Sequence, residues 1–267
     1  MVKIAVAGAK GHMGKMIIDA VWNTEGAELV AALAHKGTDK QEADEDAGAS
    51  LGYNTGVKIT DDYTVLRTSG AQVLIDFTRP EGTKEFLKIC ADASIGMVIG
   101  TTGLDAEGKA AIEESAKVIP IVFSPNMSAG VNVTYKLLEL AAKLLKDYDA
   151  EIFEMHHSRK VDAPSGTAIA MGKAIAEARG QKLEDVAVWA REGHTGPRIP
   201  GSIGFAALRG GDVVGDHQVT FAGNGERIVI SHLSSSRAGY AQGAVKAAIW
   251  EAGKKPGLYS MSDVLSL

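Results

Sequence analysis

The chain opens on Lys3 to Ala7 (KIAVA), an apolar run of strand length, and passes at once into Gly8-Ala-Lys-Gly-His-Met-Gly14 and a helical pattern through Trp22. A second strand-like run, Ala27 to Leu33 (AELVAAL), follows. Strand, glycine turn, helix and strand make a βαβ unit, which commits the chain to a parallel sheet with helices packed on it. The glycines fall as G-x-x-G-x-x-G, whereas the usual dinucleotide fingerprint is G-x-G-x-x-G, and Lys10 holds the place of its middle glycine. A glycine turn can serve only to let helix and strand pack. At the head of a βαβ unit it also sets the unbonded N–H groups of a helix start beside the strand end, an anion site suited to a pyrophosphate.

The alternation continues. Gly56 to Thr60 reads as a short strand, Ala71 to Phe77 as a strand, Glu81 to Ala93 as a helix, Met97 to Ile99 as a strand, Asp105 to Lys117 as a helix and Ile121 to Phe123 as the last strand; Asp39 to Asp46 reads as a charged loop. Strands separated by helices imply a doubly wound parallel sheet with ligands bound beyond the carboxyl ends of its strands. The turns at those ends are polar: Thr78-Arg79-Pro80, Gly100-Thr101-Thr102 and Ser124-Pro125-Asn126. They are the expected lining of a nicotinamide pocket. Where the second strand ends, an acid would serve the adenosine ribose of NAD, but the chain reads Ala34-His35-Lys36-Gly37. Two cationic groups there suit a ribose 2′-phosphate, so NADPH is the preferred cofactor with NADH also accepted; an ordinary exposed loop lysine is the alternative.

Gly130 to Lys146 reads as a long helix leading out of that sheet, and beyond it the pattern changes. Glu151 to Met155 is a strand, Ala168 to Arg179 a helix, and Val186 to Ala190, Ile203 to Leu208, Val213 to Ala222 and Arg227 to His232 are strands joined by glycine-rich turns. Consecutive strands without intervening helices imply an α+β second domain with a mixed or antiparallel sheet. Ala241 to Ala252 is helical, and hinges near Ser128 and Ser235 bound a cleft between two domains.

The densest chemistry lies in Glu154-Met-His-His-Ser-Arg-Lys-Val-Asp-Ala-Pro-Ser-Gly-Thr167. Adjacent imidazoles at a strand end point to opposite faces unless the chain turns, so His156 and His157 are expected to differ in role. Ser165-Gly166-Thr167 opens a helix, whose free N–H groups form an anion site, and Lys160 with Arg159 adds positive charge. A proton donor beside an anion clamp suggests catalysis on a carboxylate. No HExxH spacing occurs and no cysteine lies nearby, so no metal is expected there. Polar strand-end histidines and a common capping sequence are the plainer reading of the same residues.

A net charge of −5 with no lysine-rich run argues against nucleic acid as the main partner. No apolar run approaches membrane-spanning length, and the first residues enter a strand with no signal-peptide core. A single cysteine, Cys90, fits a cytoplasmic protein and reads as a small core residue on a helix.

Taken together, GxxGxMG at Gly8 to Gly14, DFTRPEGT at Asp76 to Thr83, VIGTTG at Val98 to Gly103, E-x-H-H-x-x-K-x-D-x-P-S-G-T at Glu154 to Thr167, REGHTG at Arg191 to Gly196 and S-S-R at Ser235 to Arg237 resemble the 4-hydroxy-tetrahydrodipicolinate (dihydrodipicolinate) reductases over essentially the whole length. The resemblance implies hydride transfer from a nicotinamide to a cyclic imine dicarboxylate in lysine and diaminopimelate biosynthesis. It implies that His156 is the general acid, with Lys160 assisting, and that His157, Gly166 and Thr167 bind substrate, as Ser165 does from its place at the helix start. Arg237 is a further candidate for the second carboxylate. Gly8, Ala9, Lys10, Gly11, His12 and Met13, Gly100, Thr101 and Thr102, and Ser124, Pro125, Asn126 and Met127 match cofactor contacts. The resemblance further implies a homotetramer assembled through the second domain's sheet, and a C-terminal helix that rejoins the first domain, giving domains 1–128 with 238–267 and 129–237. Two departures stand out: Lys10 and His12 replace a glycine and an arginine common in the family, and Ala34 replaces the acid that accompanies NADH use in some members. The rivals are another amino-acid or semialdehyde dehydrogenase on a similar scaffold and a non-enzymatic nicotinamide-binding regulator. The semialdehyde route needs a cysteine nucleophile, for which Cys90 is in the wrong context, and the regulator would lack the proton donor or the clamp.

Overall fold

A computed structural model describes residues 1–38 and 45–267, so most of the charged loop expected over Asp39 to Asp46 lies outside the described residues. The chain divides into two compact units, Met1–Ala129 with Ala238–Leu267, and Gly130–Arg237.

In the first unit, strands β1 (Val2–Ala7), β2 (Ala27–Leu33), β3 (Ile59–Thr60), β4 (Val73–Asp76), β5 (Gly96–Ile99), β6 (Pro120–Phe123) and β12 (Gly257–Tyr259) form one sheet in the order β12-β6-β5-β4-β1-β2-β3. Every pairing in it is parallel. Strands covered on both faces read as unbroken apolar runs, and Val73–Asp76 and Gly96–Ile99 are buried along their whole length. The order reverses between β1 and β4, the switch point where ligands of such sheets lie. The expectation that Ile121 to Phe123 is the last strand is corrected: Gly257–Tyr259 adds a seventh beside it. Three residues flanked by Lys254, Lys255 and Pro256 carry too little apolar periodicity to stand out.

Helices His12–Trp22 and Ala238–Glu251 cover one face, where Ile17, Ile18, Val21, Ala244, Val245 and Ala248 join Val6 and Ile75 in a single cluster. On the other face, Phe86, Leu87 and Cys90 of helix Pro80–Ala93 pack with Leu74 and Met97. Each large apolar side chain buried this way contributes about 1.5–3 kcal/mol. Helix Pro80–Ala93 follows its local code, with proline at its first position and Glu81 in its first turn.

The second unit holds a mixed sheet, β11-β10-β7-β9-β8, made of β7 (Asp149–His156), β8 (Ala187–Val188), β9 (Ile203–Arg209), β10 (Gly215–Ala222) and β11 (Arg227–Ser234). β7 runs parallel to β9 and antiparallel to β10. Its alternating burial turns Ala150, Ile152, Glu154 and His156 toward the core. There Ala150 and Ile152 pack with Ala168, Met171 and Ile175 of helix Gly166–Ala178. Of the expected strand Val186 to Ala190, Ala187–Val188 pair with β9, while Val186 closes a short helix, Leu183–Val186, with Glu184 and Asp185 in its first turn.

Candidate active site

In the second unit three strands deliver ionisable side chains to one face. The register sets His217 of β10 opposite Glu154 and Arg209 of β9 opposite His156. Glu154 is buried, and its carboxylate is fully engaged. Arg209 grips it with two parallel bonds, Nη1 to Oε2 and Nη2 to Oε1, both 2.9 Å, and the Ser165 N–H donates to Oε1 at 3.0 Å. His156 Nδ1 lies 2.6 Å from Oε2. Burial pushes the Glu154 carboxyl up, but Arg209, His156 and the Ser165 N–H outweigh it and hold the group below its ordinary range. His217 packs edge-on to His156 with ring centroids 5.0 Å apart and its Nε2 2.9 Å from the Ser165 hydroxyl. Burial first, and then the neighbouring His156, lower His217 to about 4, so it is neutral at physiological pH.

β7 ends at His156, and the chain turns immediately afterwards, with Lys160 N donating to His157 O at 3.1 Å. Lys160 pairs with Asp162 at 2.8 Å. His157 is half-buried, and burial first, then the neighbouring Arg159, Arg237, His156 and Lys160, lower its pKa. Arg159, Arg237, His156 and Lys160 thus stand near enough to His157 to act on it electrostatically. Ser165 caps helix Gly166–Ala178 by accepting from Ala168 N at 3.2 Å. Its hydroxyl is thus turned inward, while Gly166 is exposed with open space where a Cβ would stand.

In the first unit, Gly8 takes a left-handed φ of +69° just after β1, and Gly11 N donates back to Gly8 O at 2.8 Å. Gly11 is the N-cap of helix His12–Trp22 and offers no side chain to the first N–H groups. Gly14 packs so tightly on this turn that a Cβ would stand 2.0 Å from Gly8 O and 2.9 Å from Ala9 Cα. A turn this close, with an uncapped helix start, fits a dinucleotide pyrophosphate. Ala9 is buried, His12 is exposed, Met13 packs against the core, and Lys10 pairs with Glu45 at 3.2 Å.

The other strand-end turns are ordered by side chains. Buried Asp76 accepts from Thr78 N and Oγ1 at 2.9 and 2.6 Å and from Thr83 Oγ1 at 2.5 Å, and Thr101 Oγ1 accepts from Thr78 N at 3.1 Å. Gly100 N donates to Asp76 O at 2.9 Å, and Thr102 is exposed beside it. Ser124 donates to Asn126 O at 2.8 Å and Asn126 Oδ1 accepts from Ser128 N at 2.9 Å, with Pro125 exposed at the tip. Met127 is a core residue, so only its backbone can face a ligand. At the end of β2, Lys36 is ion-paired to Glu85 and sits 4.9 Å over the Tyr63 ring, while His35 Nδ1 bonds Lys36 O at 2.7 Å. Asp61 also reaches this corner, accepting from Gly37 N at 3.2 Å. The sequence around Ala34 shows no carboxylate because Asp61 and Glu85 arrive from distant segments.

Glu154, Arg209 and His217 are additions to the residues expected in the site. A signal existed: alternation puts Glu154 on the core side with Ile152 and His156, and a buried carboxylate demands a buried cation, which Arg209 supplies.

The family described as "Dihydrodipicolinate reductase, N-terminus" matches residues 2–127, and "Dihydrodipicolinate reductase, C-terminus" matches residues 130–265. A 4-hydroxy-tetrahydrodipicolinate reductase of Polynucleobacter necessarius is 59% identical over 266 residues, covering 99% of each chain. One from Ralstonia nicotianae is 57% identical over 268 residues, covering 99% of this chain and 100% of its own. Among solved structures, a dipicolinate-bound dihydrodipicolinate reductase from a Paenisporosarcina species superposes with a TM-score of 0.77 at 28% identity, covering 97% of each chain. A probable dehydrogenase from Thermotoga maritima, at 13% identity, a TM-score of 0.65 and coverage of 98% and 92%, shares the fold. Both units lie within these likenesses, and the chain belongs to the dihydrodipicolinate reductase family.

Proposed function

We propose that this chain reduces a cyclic imine dicarboxylate, dihydrodipicolinate formed from 4-hydroxy-tetrahydrodipicolinate, to tetrahydrodipicolinate. The observation that carries this reading is the meeting of His156, at the end of β7, with the helix start at Ser165 through the shared carboxylate of Glu154, with His157 and Lys160 on the turn that follows. A dicarboxylate needs two anion sites and its reduction needs a proton; the residues for both are here.

When bound at the glycine turn, a reduced nicotinamide dinucleotide supplies the hydride. Gly8 to Met13 would hold its pyrophosphate, and the Gly100 to Thr102 and Ser124 to Met127 turns would line its nicotinamide end. The Gly166 and Thr167 backbone at the helix start, with Ser165 shaping that turn, takes one substrate carboxylate; His157 and Arg237 take the other. Lys160 neutralises charge on the bound dicarboxylate. As hydride arrives, electrons move through the conjugated system, and His156 protonates the carbon next to the one that accepted it.

NADPH is the preferred cofactor in this reading, because Ala34 offers no carboxylate to a ribose and Lys36 can exchange Glu85 for a 2′-phosphate. NADH use remains, since Asp61 stands at the same corner. The second sheet exposes Phe153, Leu208, Val229 and Leu233 on the side opposite Glu154 and His156, an apolar face suited to assembly of a homotetramer. Light scattering on the purified protein checks the assembly. The test of function mixes protein, NADPH and the product that a separate synthase makes from aspartate semialdehyde and pyruvate. Substrate-dependent loss of nicotinamide absorbance is expected; its absence overturns the reading.

A further inference from the structure

Glu154, next but one to the end of its strand, is 1% exposed, and both of its carboxylate oxygens are hydrogen-bonded by protein groups. An ionised carboxylate so deeply buried is tolerated only when paired and fully bonded. Arg209 meets that need with its two-pronged grip, and is itself held by a further bond from Nη2 to Asp162 O at 2.6 Å. An ionised carboxylate only accepts. The 2.6 Å contact therefore requires the hydrogen to be on Nδ1 of His156, and Nε2 is the ring nitrogen left to exchange a proton.

The surroundings of Nε2 are consistent with that task. Gly215 lies against it: a Cβ there would stand 3.0 Å from Nε2 and 3.4 Å from Cδ2, so the missing side chain keeps this edge of the ring clear. The ionisable groups around His156 are Glu154 on its own strand, Arg209 on β9, His217 on β10 with His232 of β11 beyond it, and, past the strand end, His157, Lys160 and Asp162 with Arg159 and Arg237. Among them Glu154 alone bonds the ring directly among the described residues.

We propose that Glu154, clamped by Arg209 and tied to the helix start through Ser165 N–H, is a positioning residue. It accepts a hydrogen bond from His156 Nδ1–H, stabilises the imidazolium, and leaves Nε2, on the side cleared by Gly215, to deliver the proton. In the reaction the Nε2–H bond breaks as the substrate carbon gains its C–H bond. The ring is left neutral with hydrogen still on Nδ1, and solvent restores the Nε2 proton. The same carboxylate also bonds the residue that caps the substrate-binding helix, so proton donor and anion site are held in one register. The identity of the substrate rests on the reductase reading; the tautomer does not.

Nitrogen-15 NMR of ring-labelled histidine in the full-length protein, without substrate, reads the tautomer directly. Neutral His156 in the wild-type protein is expected as the Nδ1–H form; the Nε2–H form would overturn the proposal whether or not any variant folds. In Glu154→Gln the Nδ1–H preference is expected to be lost. Its kcat should fall by about ten- to a hundredfold, the scale seen when an outer partner of a working imidazole is removed, with KM changed far less and the alkaline limb of the kcat profile moved to lower pH. Gly215→Ala should lower kcat while leaving the tautomer on Nδ1. A Glu154→Gln protein with the wild-type tautomer and pH profile would refute the positioning role. An inactive wild-type protein whose His156 carries Nδ1–H would instead count against the reductase reading alone.

Discussion

Gly14→Ala probes the dinucleotide cradle at its tightest point. The added Cβ would meet Gly8 O at 2.0 Å, Gly8 C at 2.6 Å and Ala9 Cα at 2.9 Å, all backbone atoms that no side-chain rotation can clear. Comfortable contact begins near 3.5 Å, so helix and turn must separate by well over 1 Å. Overpacking of this kind costs about 1–3 kcal/mol of stability, or roughly 2–10 °C in melting temperature for a domain of this size. The same displacement draws the His12 and Met13 N–H groups at the helix start away from a bound pyrophosphate. Loss of one charge-assisted hydrogen bond is worth about 1.5–3 kcal/mol, on the order of ten- to a hundredfold in Kd. Gly11→Ala is a milder perturbation of the same turn and should have the smaller effect on both, since its Cβ would meet Gly8 O at 3.2 Å from an ordinary negative φ. Titration calorimetry with NADPH and thermal melting of the three proteins give both numbers. Wild-type affinity and melting in Gly14→Ala would refute the claim that close backbone approach builds the cradle.

Buried Glu251 should make stability fall as pH rises. Burial raises its carboxyl well above the ordinary range, so above that range the unfolded chain releases a proton that the native state keeps. Stability declines by up to about 1.4 kcal/mol per pH unit until the native group also ionises. Glu251→Gln removes this slope, and parallel denaturation curves for the two proteins between pH 4.5 and 7 would refute it. Lys36→Ala should lower the NADPH-to-NADH efficiency ratio, and an unchanged ratio removes Lys36 from cofactor choice. His156→Ala should depress kcat by about 10²–10⁴ with KM little altered, whereas Lys160→Ala should damage kcat and KM together; steady-state rates at wild-type levels in either contradict the assigned roles.

Much of the architecture was legible because its signals are local. The KIAVA run, the glycine turn and the AELVAAL run sit within about thirty residues, and the end of β2 at Leu33 and of the helix at Trp22 follow from them. The mixed character of the second sheet could be read from strands that follow one another without helices. Hidden elements depended on distant partners. Gly257–Tyr259 becomes a strand because β6 is there to pair with it, and Asp61 joins the cofactor corner only through the fold. In the site, His156 and Lys160 stood out by composition, while Arg209 and His217 lie 53 and 61 residues from His156 and acquire meaning only through the register that lays them beside Glu154.

Transfer of label from cofactor to product tests the central claim most directly. NADPH deuterated at the transferring position is supplied with the freshly generated cyclic imine dicarboxylate, and the product is weighed by mass spectrometry. Direct reduction at this site places a single deuterium on the product ring, at a rate that collapses in His156→Ala. Cofactor oxidised without deuterium reaching the product, or label transferred equally fast without His156, would contradict it.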